Sequence, residues 1–578
     1  MTMVRSSGLV RTQSGRFTNL NGDKLRGGYY TSHEVVAWLC AWAIRATTDR
    51  VLEPSCGDGA FLVGAAERFF ELGAPGPAMA NNLTGVEIIP NEADRARVRL
   101  IQRLGLCARD VVKTGDFFAW WQEANRPVFD AVIGNPPFIR YQSFPEPHRS
   151  LAMQIMAGLG LTPNRLTNIW VPFVVAAAAS LRPGGRLALV LPAELLQVTY
   201  AAQLRSFLTD RFSRIDIVAC NELFFDKAEQ EVVLLLADGA LPAASESNPC
   251  RVTLTEAHTV AEIIKRPPEA VLAAASPKTI RHDHEKWLKY FLTEREIVFM
   301  RELRSSAAST TLATYAGVDV GVVTGKNEFF VLGGKLVAEL GLDTYTVPLV
   351  SRSVHLKGAW IKKSDWNALS AAGDRVHLLH LAPLNGSKLN NSLERYIRLG
   401  ETNAVHKGYK CSIRVPWYVV PSVWIPDGFV FRQVYDFPRM VLNQAGATST
   451  DTIHRLTCKA KPKQVIANTY TYLTAASAEI EGRSYGGGVL ELEPTEAERL
   501  LMPAKLAPAI PLDDCDRLTR AGRLDDVLVE NARVVLMGAM GLSRTDCTLL
   551  RNIWTKMRDR RLARRRRGRT STGVDAIQ

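Results

Sequence analysis

Between residues 23 and 240 the apolar positions fall into short runs that alternate with helix-spaced stretches. RVLEPSCGDG (50–59) is an apolar run closed by a Gly turn, and AFLVGAAERFFELG behind it repeats apolar residues at helical spacing. LTGVEII, FDAVIG, RLALVLP and EVVLLLA read as further strands, and VVAWLCAWAI and ADRARVRLIQRLG as helices. This βαβ rhythm predicts an α/β domain on a doubly wound, mostly parallel sheet. IWVPFVVAAAASL (169–181) is apolar all round, which predicts a buried helix.

The texture then changes. Residues 1–22 are polar and predict a flexible segment, and composition shifts at DGALPAASESNPC (238–250). Residues 241–306 read as a linker and helical bridge, with VTLTEAHTVAEIIKRP as an appended strand and helix and Glu285–Ser306 as one amphipathic helix. From 307 to 500, short β-like runs, turns and aromatics predict a second domain that is mixed α/β or mainly β. Residues 501–557 return to helical spacing, and 558–578 form an Arg-rich tail.

The strand FDAVIG ends on an unusual corner, Asn135-Pro136-Pro137-Phe138. Two successive prolines continue neither a strand nor a helix interior, so they fix the peptide. An amide and a ring are thereby aimed from the strand's tip. Upstream, the Gly turn Ser55–Gly59 joins a strand to a helix, where parallel sheets bind nucleotide-like ligands. Alone that turn is weak, since Gly there is often only geometry. Its carboxylates, Glu53 and Asp58, would repel a pyrophosphate, and no P-loop lysine is present. A ligand with an ammonium or sulfonium group fits better. Glu87 ends the next strand, where ribose hydroxyls are commonly held, and Asp116 ends the third, followed by Phe117 and Phe118.

Three acids at successive strand ends, then NPPF after the fourth, resemble the gamma-class DNA adenine-N6 methyltransferases of restriction–modification type. The resemblance covers residues 23–236 at the level of motifs and is looser beyond. It implies a class I, Rossmann-like methyltransferase domain with S-adenosylmethionine as cofactor. In GGYYTSHEVVAWL, Tyr30 and Thr31 would lie near the cofactor's methionine end. Glu53, Ser55, Cys56, Gly57, Asp58 and Gly59 would form the cofactor loop, with Gly57 and Gly59 allowing close approach. Glu87 and Ile88 would meet the ribose, and Asp116 and Phe117 the adenine. Asn135, Pro136, Pro137 and Phe138 match the catalytic tetrapeptide. Phe224, with Phe225 as the alternative, would stack on a flipped-out target base opposite Phe138. Where the family often has Tyr, this chain has Phe138, which keeps the stacking face and lacks only a hydroxyl.

Charge then narrows the partner. The chain of 578 residues carries +13, and an anionic partner follows, double-stranded DNA before an acidic membrane. Arg558–Arg569 supplies eight Arg against one Asp, hence +7 of that total, and reads either as a phosphate grip or as a solvated tail. Lys326, Arg352, Lys407, Arg414, Arg432 and Arg483 are candidates for DNA contacts in the second domain. Nine scattered Cys without CxxC pairs fit reduced thiols rather than a zinc site or a disulfide framework, and no metal is expected. The polar first residues and the short, Pro-interrupted 169–181 stretch predict neither a signal peptide nor a membrane span, hence a cytoplasmic protein, and a monomer is expected.

Two other readings stay open. The same corner would serve transfer to an RNA base or a protein glutamine amide, and the fold could belong to a non-catalytic DNA-binding subunit. The roughly 300 residues beyond the first domain, basic overall and rich in loops, favour DNA. Motifs starting near residue 24 leave no upstream space for a fused nuclease, so any restriction endonuclease is expected as a separate partner.

Overall fold

The fold is given by a computed structural model that describes residues 31–567 except 75, 106–109, 166, 221, 223–230, 242–249, 281–284, 383–388, 390 and 486. The chain divides into two compact units, Met1–Tyr290 and Phe291–Gln578.

The first unit is built on one eight-stranded sheet. Its strands are β1 (Val51–Glu53), β2 (Leu83–Glu87), β3 (Val112–Thr114), β4 (Phe129–Gly134), β5 (Leu181–Pro192), β6 (Phe212–Cys220), β7 (Val232–Ala240) and β8 (Arg251–Ala257). They lie in the order β3-β2-β1-β4-β5-β7-β6-β8. Pairing is parallel from β3 through β5, β7 runs antiparallel to both β5 and β6, and β8 is parallel to β6. This is the doubly wound, mostly parallel sheet expected. Strand order reverses between β1 and β4, so the carboxyl ends of these strands open a crevice there. Every residue of β4 is buried, as a central parallel strand covered on both faces requires. The helix Trp170–Ala179 is buried along its length except at Ala179.

Two boundaries differ from the sequence reading. The expected bridge over 241–306 is no separate element: β8 extends the first sheet, while the helix Glu294–Ser305 falls in the second unit. Glu285–Ser306 is not one helix either. Thr293 caps Glu294–Ser305, accepting from Glu296 N–H at 3.3 Å while the Glu296 carboxylate accepts from Thr293 N–H at 2.7 Å. That reciprocal box fixes a helix start inside a run whose apolar spacing is continuous.

The second unit is mixed α/β. A five-stranded sheet orders Ala316–Asp319, Ile453–Cys458, Gly428–Phe431, Met440–Gln444 and Trp360–Lys362, antiparallel except for the last pair. A four-stranded sheet joins Val331–Gly333, Arg375–Leu379, Thr346–Val350 and Thr448–Ser449. A two-stranded sheet pairs Ser309–Thr311 with Leu501–Pro503. The helix Tyr472–Glu481 packs against the long helix Arg544–Arg567.

That long helix corrects the idea of an Arg tail starting at 558. Arg561 is only 1% exposed. Its guanidinium donates to both Glu479 carboxylate oxygens and to the carbonyls of Tyr435 (2.8 Å) and Gly488 (2.7 Å). Arg558 pairs with Asp436 at 2.9 Å and lies over the Trp554 ring, and Arg560 lies over Phe291. The first part of the run is therefore internal structure. Side chains 564–567 and residues 568–578 lie outside those described, as do residues 1–30.

Candidate active site

The loop after β1 is held by its backbone. Cys56 N–H donates to Val86 O at 2.9 Å and Gly59 N–H to Cys56 O at 2.8 Å. Gly59 sits at φ +84°, and a Cβ there would stand 2.9 Å from Ala96 Cβ. Its glycine thus serves the close approach of the helix Pro90–Leu104, not of a ligand as the sequence suggested, and it is absent from the cleft lining. Gly59→Ala is accordingly expected to lower stability by about 1–3 kcal/mol through left-handed strain and the clash. A denaturant melt without ligand measures this.

At the carboxyl ends of β1–β4 lies a cavity of about 180 Å³. It gathers Thr31, Glu53, Ser55, Cys56, Gly57 and Asp58 with Glu87, Ile88, Asp116 and Phe117, all singled out from sequence. Asn135 and Pro137 of the NPPF corner line the same cavity. Gly134 turns the chain at φ +145°, from β4 into that corner.

The cavity is strongly acidic. Glu53 is 2% exposed, and its Oε2 is buried without a hydrogen-bond partner. Burial, then the charges of Asp58 and Glu87, push its carboxyl well above the usual range. Burial also raises Asp58, despite an ion pair with Arg99 at 2.6 Å, and raises Glu87. Each Glu87 oxygen accepts one backbone N–H, from Gly57 and from Ile89, both at 2.9 Å. Those bonds fix the carboxylate while leaving lone pairs toward the cavity. Asp116 caps the helix Phe117–Glu123 and accepts from Ala119 N–H at 3.1 Å. Its other neighbour is His148, whose Nδ1 lies 3.3 Å from Asp116 Oδ2.

Some participants were not foreseen. Phe173, Phe144 and Ile139 complete the apolar wall, and Phe173 stacks on Phe117 with centroids 5.3 Å apart and an interplanar angle of 14°. Phe173 comes from the buried helix, whose uniformly apolar sequence does not reveal which residue faces a cleft. Phe118 packs in the core and not in the cavity.

The corner's residues separate. Asn135 Nδ2 donates to Thr31 Oγ1 at 3.4 Å, and Ser55 Oγ donates to the Asn135 carbonyl at 3.5 Å. Pro136 lines a small adjoining pocket with Gly134, Ala177 and Leu189. Phe138 is partly buried against the first unit's core and does not line the cavity. Tyr30, Phe224 and Phe225 lie outside the described residues.

The basic candidates of the second unit also divide. Arg432 pairs with Glu491 and Glu493, Arg483 with Glu496, and Arg414 donates to the carbonyls of Thr324 and Val323. Lys326 pairs with Glu328 at 3.1 Å, and Arg352 and Lys407 are exposed. Among the described residues no cluster of three or more His, Cys, Asp or Glu is arranged to hold a metal ion, and no helix is long and apolar enough to cross a membrane.

Known proteins are similar to this chain across both units. Residues 81–224 match the Eco57I restriction-modification methylase family, and 284–536 match the C-terminal domain of Type II methyltransferase M.Eco57I. The chain is 23% identical to Type II methyltransferase M.AccI of Acinetobacter calcoaceticus, over 65% of this chain and 69% of that protein. It is 22% identical to M.XamI of Xanthomonas campestris pv. amaranthicola, over 83% of this chain and 85% of that one. The Type IIL restriction-modification enzyme MmeI shares the fold, with TM-score 0.51 and 12% identity over 94% of this chain and 73% of that one. The sheet is a class I, Rossmann-like methyltransferase fold, and the chain is similar to restriction–modification methyltransferases in both units. Both matched regions are similar to the Eco57I type.

Proposed function

We propose that the protein transfers a methyl group from S-adenosylmethionine to the N6 amine of an adenine flipped out of double-stranded DNA. The observation that carries this reading is that Asn135 and Pro137 line the same cavity as Glu53, Glu87 and Asp116, with Pro136 in a pocket beside it.

The residues present fit the cofactor. The unpartnered, buried Glu53 Oε2 calls for a cationic donor, which the cofactor's ammonium provides. Glu87, anchored by two N–H groups, is suited to a diol, and Asp116 beside the Phe117–Phe173 stack to an amino-substituted ring. Bound there, the cofactor supplies a methyl already activated on sulfonium. The chain's task is then to prepare the acceptor. The adenine amine is a weak nucleophile because its lone pair is delocalised into the ring. Asn135 Oδ1 and the Pro136 carbonyl accept from its two hydrogens and localise that pair, which is positioning rather than acid–base catalysis. Extruding the base costs a few kcal/mol. Phe138 and Phe224 recover part of this by stacking, at about 1–3 kcal/mol per base. In this reading Phe138 turns from the core toward the base on binding.

A methyl-transfer assay with labelled cofactor, offered DNA, RNA and protein in parallel, tests the proposal. Label in DNA, recovered after digestion as N6-methyladenine, is expected. Label only in RNA or protein, or on cytosine, overturns it. A separate endonuclease partner and a monomeric, cytoplasmic protein belong to the same proposal.

Glu53 gives a pH-dependent check. Its pKa is raised by folding, so its contribution to ligand-free stability is complete below about pH 4.5 and is lost as pH rises through the raised value. Glu53→Gln removes that loss. It is expected to raise the ligand-free melting temperature at pH 7–8, with no gain near pH 4, while weakening cofactor binding about tenfold or more. Calorimetry in both modes measures the two effects.

A further inference from the structure

The second unit presents an apolar tip that its fold holds rigidly in solvent. Val415 is 98% exposed, and Ile413 beside it 63%. Burying such side chains is the rule, and leaving two together exposed costs solubility unless they meet something. The tip is not slack. Arg414, between them, donates to the carbonyls of Thr324 (2.8 Å) and Val323 (2.7 Å). On one side Cys411 is fully buried, and on the other Trp417 packs on Phe329 with centroids 5.3 Å apart. The arginine anchors the turn, and the two aliphatic side chains stand outward.

The surroundings are basic. Lys407 and Lys410 are exposed on the same loop, with Lys410 over the ring of Tyr409. Gly325 approaches so closely that a Cβ there would stand 2.8 Å from Lys410 Cβ, which brings Lys326 to this cluster. Glu328, paired with Lys326, and Glu401, bonded to Trp417 Nε1, are the acids nearby. An aliphatic point ringed by lysines fits a polyanion with an apolar interior, whose phosphates meet the lysines and whose base steps meet the point.

We propose that Ile413 and Val415 form a wedge that enters duplex DNA between base steps while Lys407 and Lys410 hold the flanking phosphates. This rests on DNA being the substrate. The wedge separates a step in the duplex, and the rigid Arg414 anchor keeps its depth constant.

The test uses the full chain and duplexes of about 30 base pairs carrying 2-aminopurine at successive positions through the site mapped by N6-methyladenine sequencing. Wild type is expected to raise fluorescence at the methylated position and at a second, separate step. Ile413→Ser/Val415→Ser is expected to lose the second signal and about tenfold in duplex affinity, with cofactor binding unchanged. Val415→Leu, still apolar, is expected to keep both. Lys407→Ala and Lys410→Ala should each lower the salt slope of binding by about 1. Unchanged affinity in the double variant overturns the wedge. So does lowered affinity with no second fluorescence signal in wild type, or loss of a dimer in sedimentation with DNA binding intact. If no DNA base is methylated at all, the functional reading fails instead; affinity and 2-aminopurine scanning on an unmapped duplex still judge the wedge separately.

Discussion

Asn135→Ala is expected to lower methyl transfer at least ~100-fold while leaving cofactor affinity within about twofold, because it deletes an acceptor needed only as the amine attacks. The side chain donates a long bond to Thr31 Oγ1 at 3.4 Å. The loop is held instead by Cys56, Gly57 and Gly59 through backbone groups and Glu87. A loss confined to kcat, with cofactor titration unchanged, is the expected signature. Asn135→Asp keeps an acceptor oxygen and should retain more activity than the alanine variant. Equal activity in wild type and Asn135→Ala would remove Asn135 from the chemistry.

The largest effect on stability is expected from Arg561→Ala, at about 3–5 kcal/mol. It strands the Glu479 carboxylate, 4% exposed, and removes a donor from the carbonyls of Tyr435 and Gly488. Burial already holds Glu479 above its usual range, outweighing the arginine beside it. Without Arg561 that pKa rises further. The deficit should therefore shrink as pH falls and the stranded acid takes up a proton. Arg561→Met combined with Glu479→Met should recover most of it, since two apolar groups replace the pair. Chemical denaturation from pH 5 to 8 checks all three statements. Had the arginine belonged to a solvated tail, the melts would coincide.

The contrast between these two residues shows what the sequence could reveal. Asn135 was legible because its neighbours are: a buried strand, two prolines and a ring leave few other uses for an amide. Glu53, Glu87 and Asp116 were legible together, since successive parallel strands must bring their ends to one edge. Arg561 was not, because seven other Arg residues stand within the same short run and only tertiary contacts pick out the one that turns inward. The same holds for Arg432 and Arg483, whose acids arrive from other segments. Phe173 and Gly59 show a subtler shortfall. Their residue types suited the domain, but the surface each would meet, a stacked Phe117 or the Ala96 backbone, depends on helix packing that local pattern does not encode. Thr293 was within reach, as a Thr with Glu three residues on is a helix-start signal; the continuous apolar spacing around it masked the stop.

The short pairing of Ser309–Thr311 with Leu501–Pro503 sets Thr311 directly opposite Leu501. The chain thus enters and leaves the 312–500 stretch at one place. That makes a natural seam, since an exchanged stretch would begin and end at paired neighbours. Several ion pairs cross the seam, among them Arg304–Glu481, Arg520–Asp365 and Arg558–Asp436. Glu479 lies inside the exchanged stretch and Arg561 outside it, so an incoming segment must bring an acid to meet that arginine, or the recipient must give the arginine up.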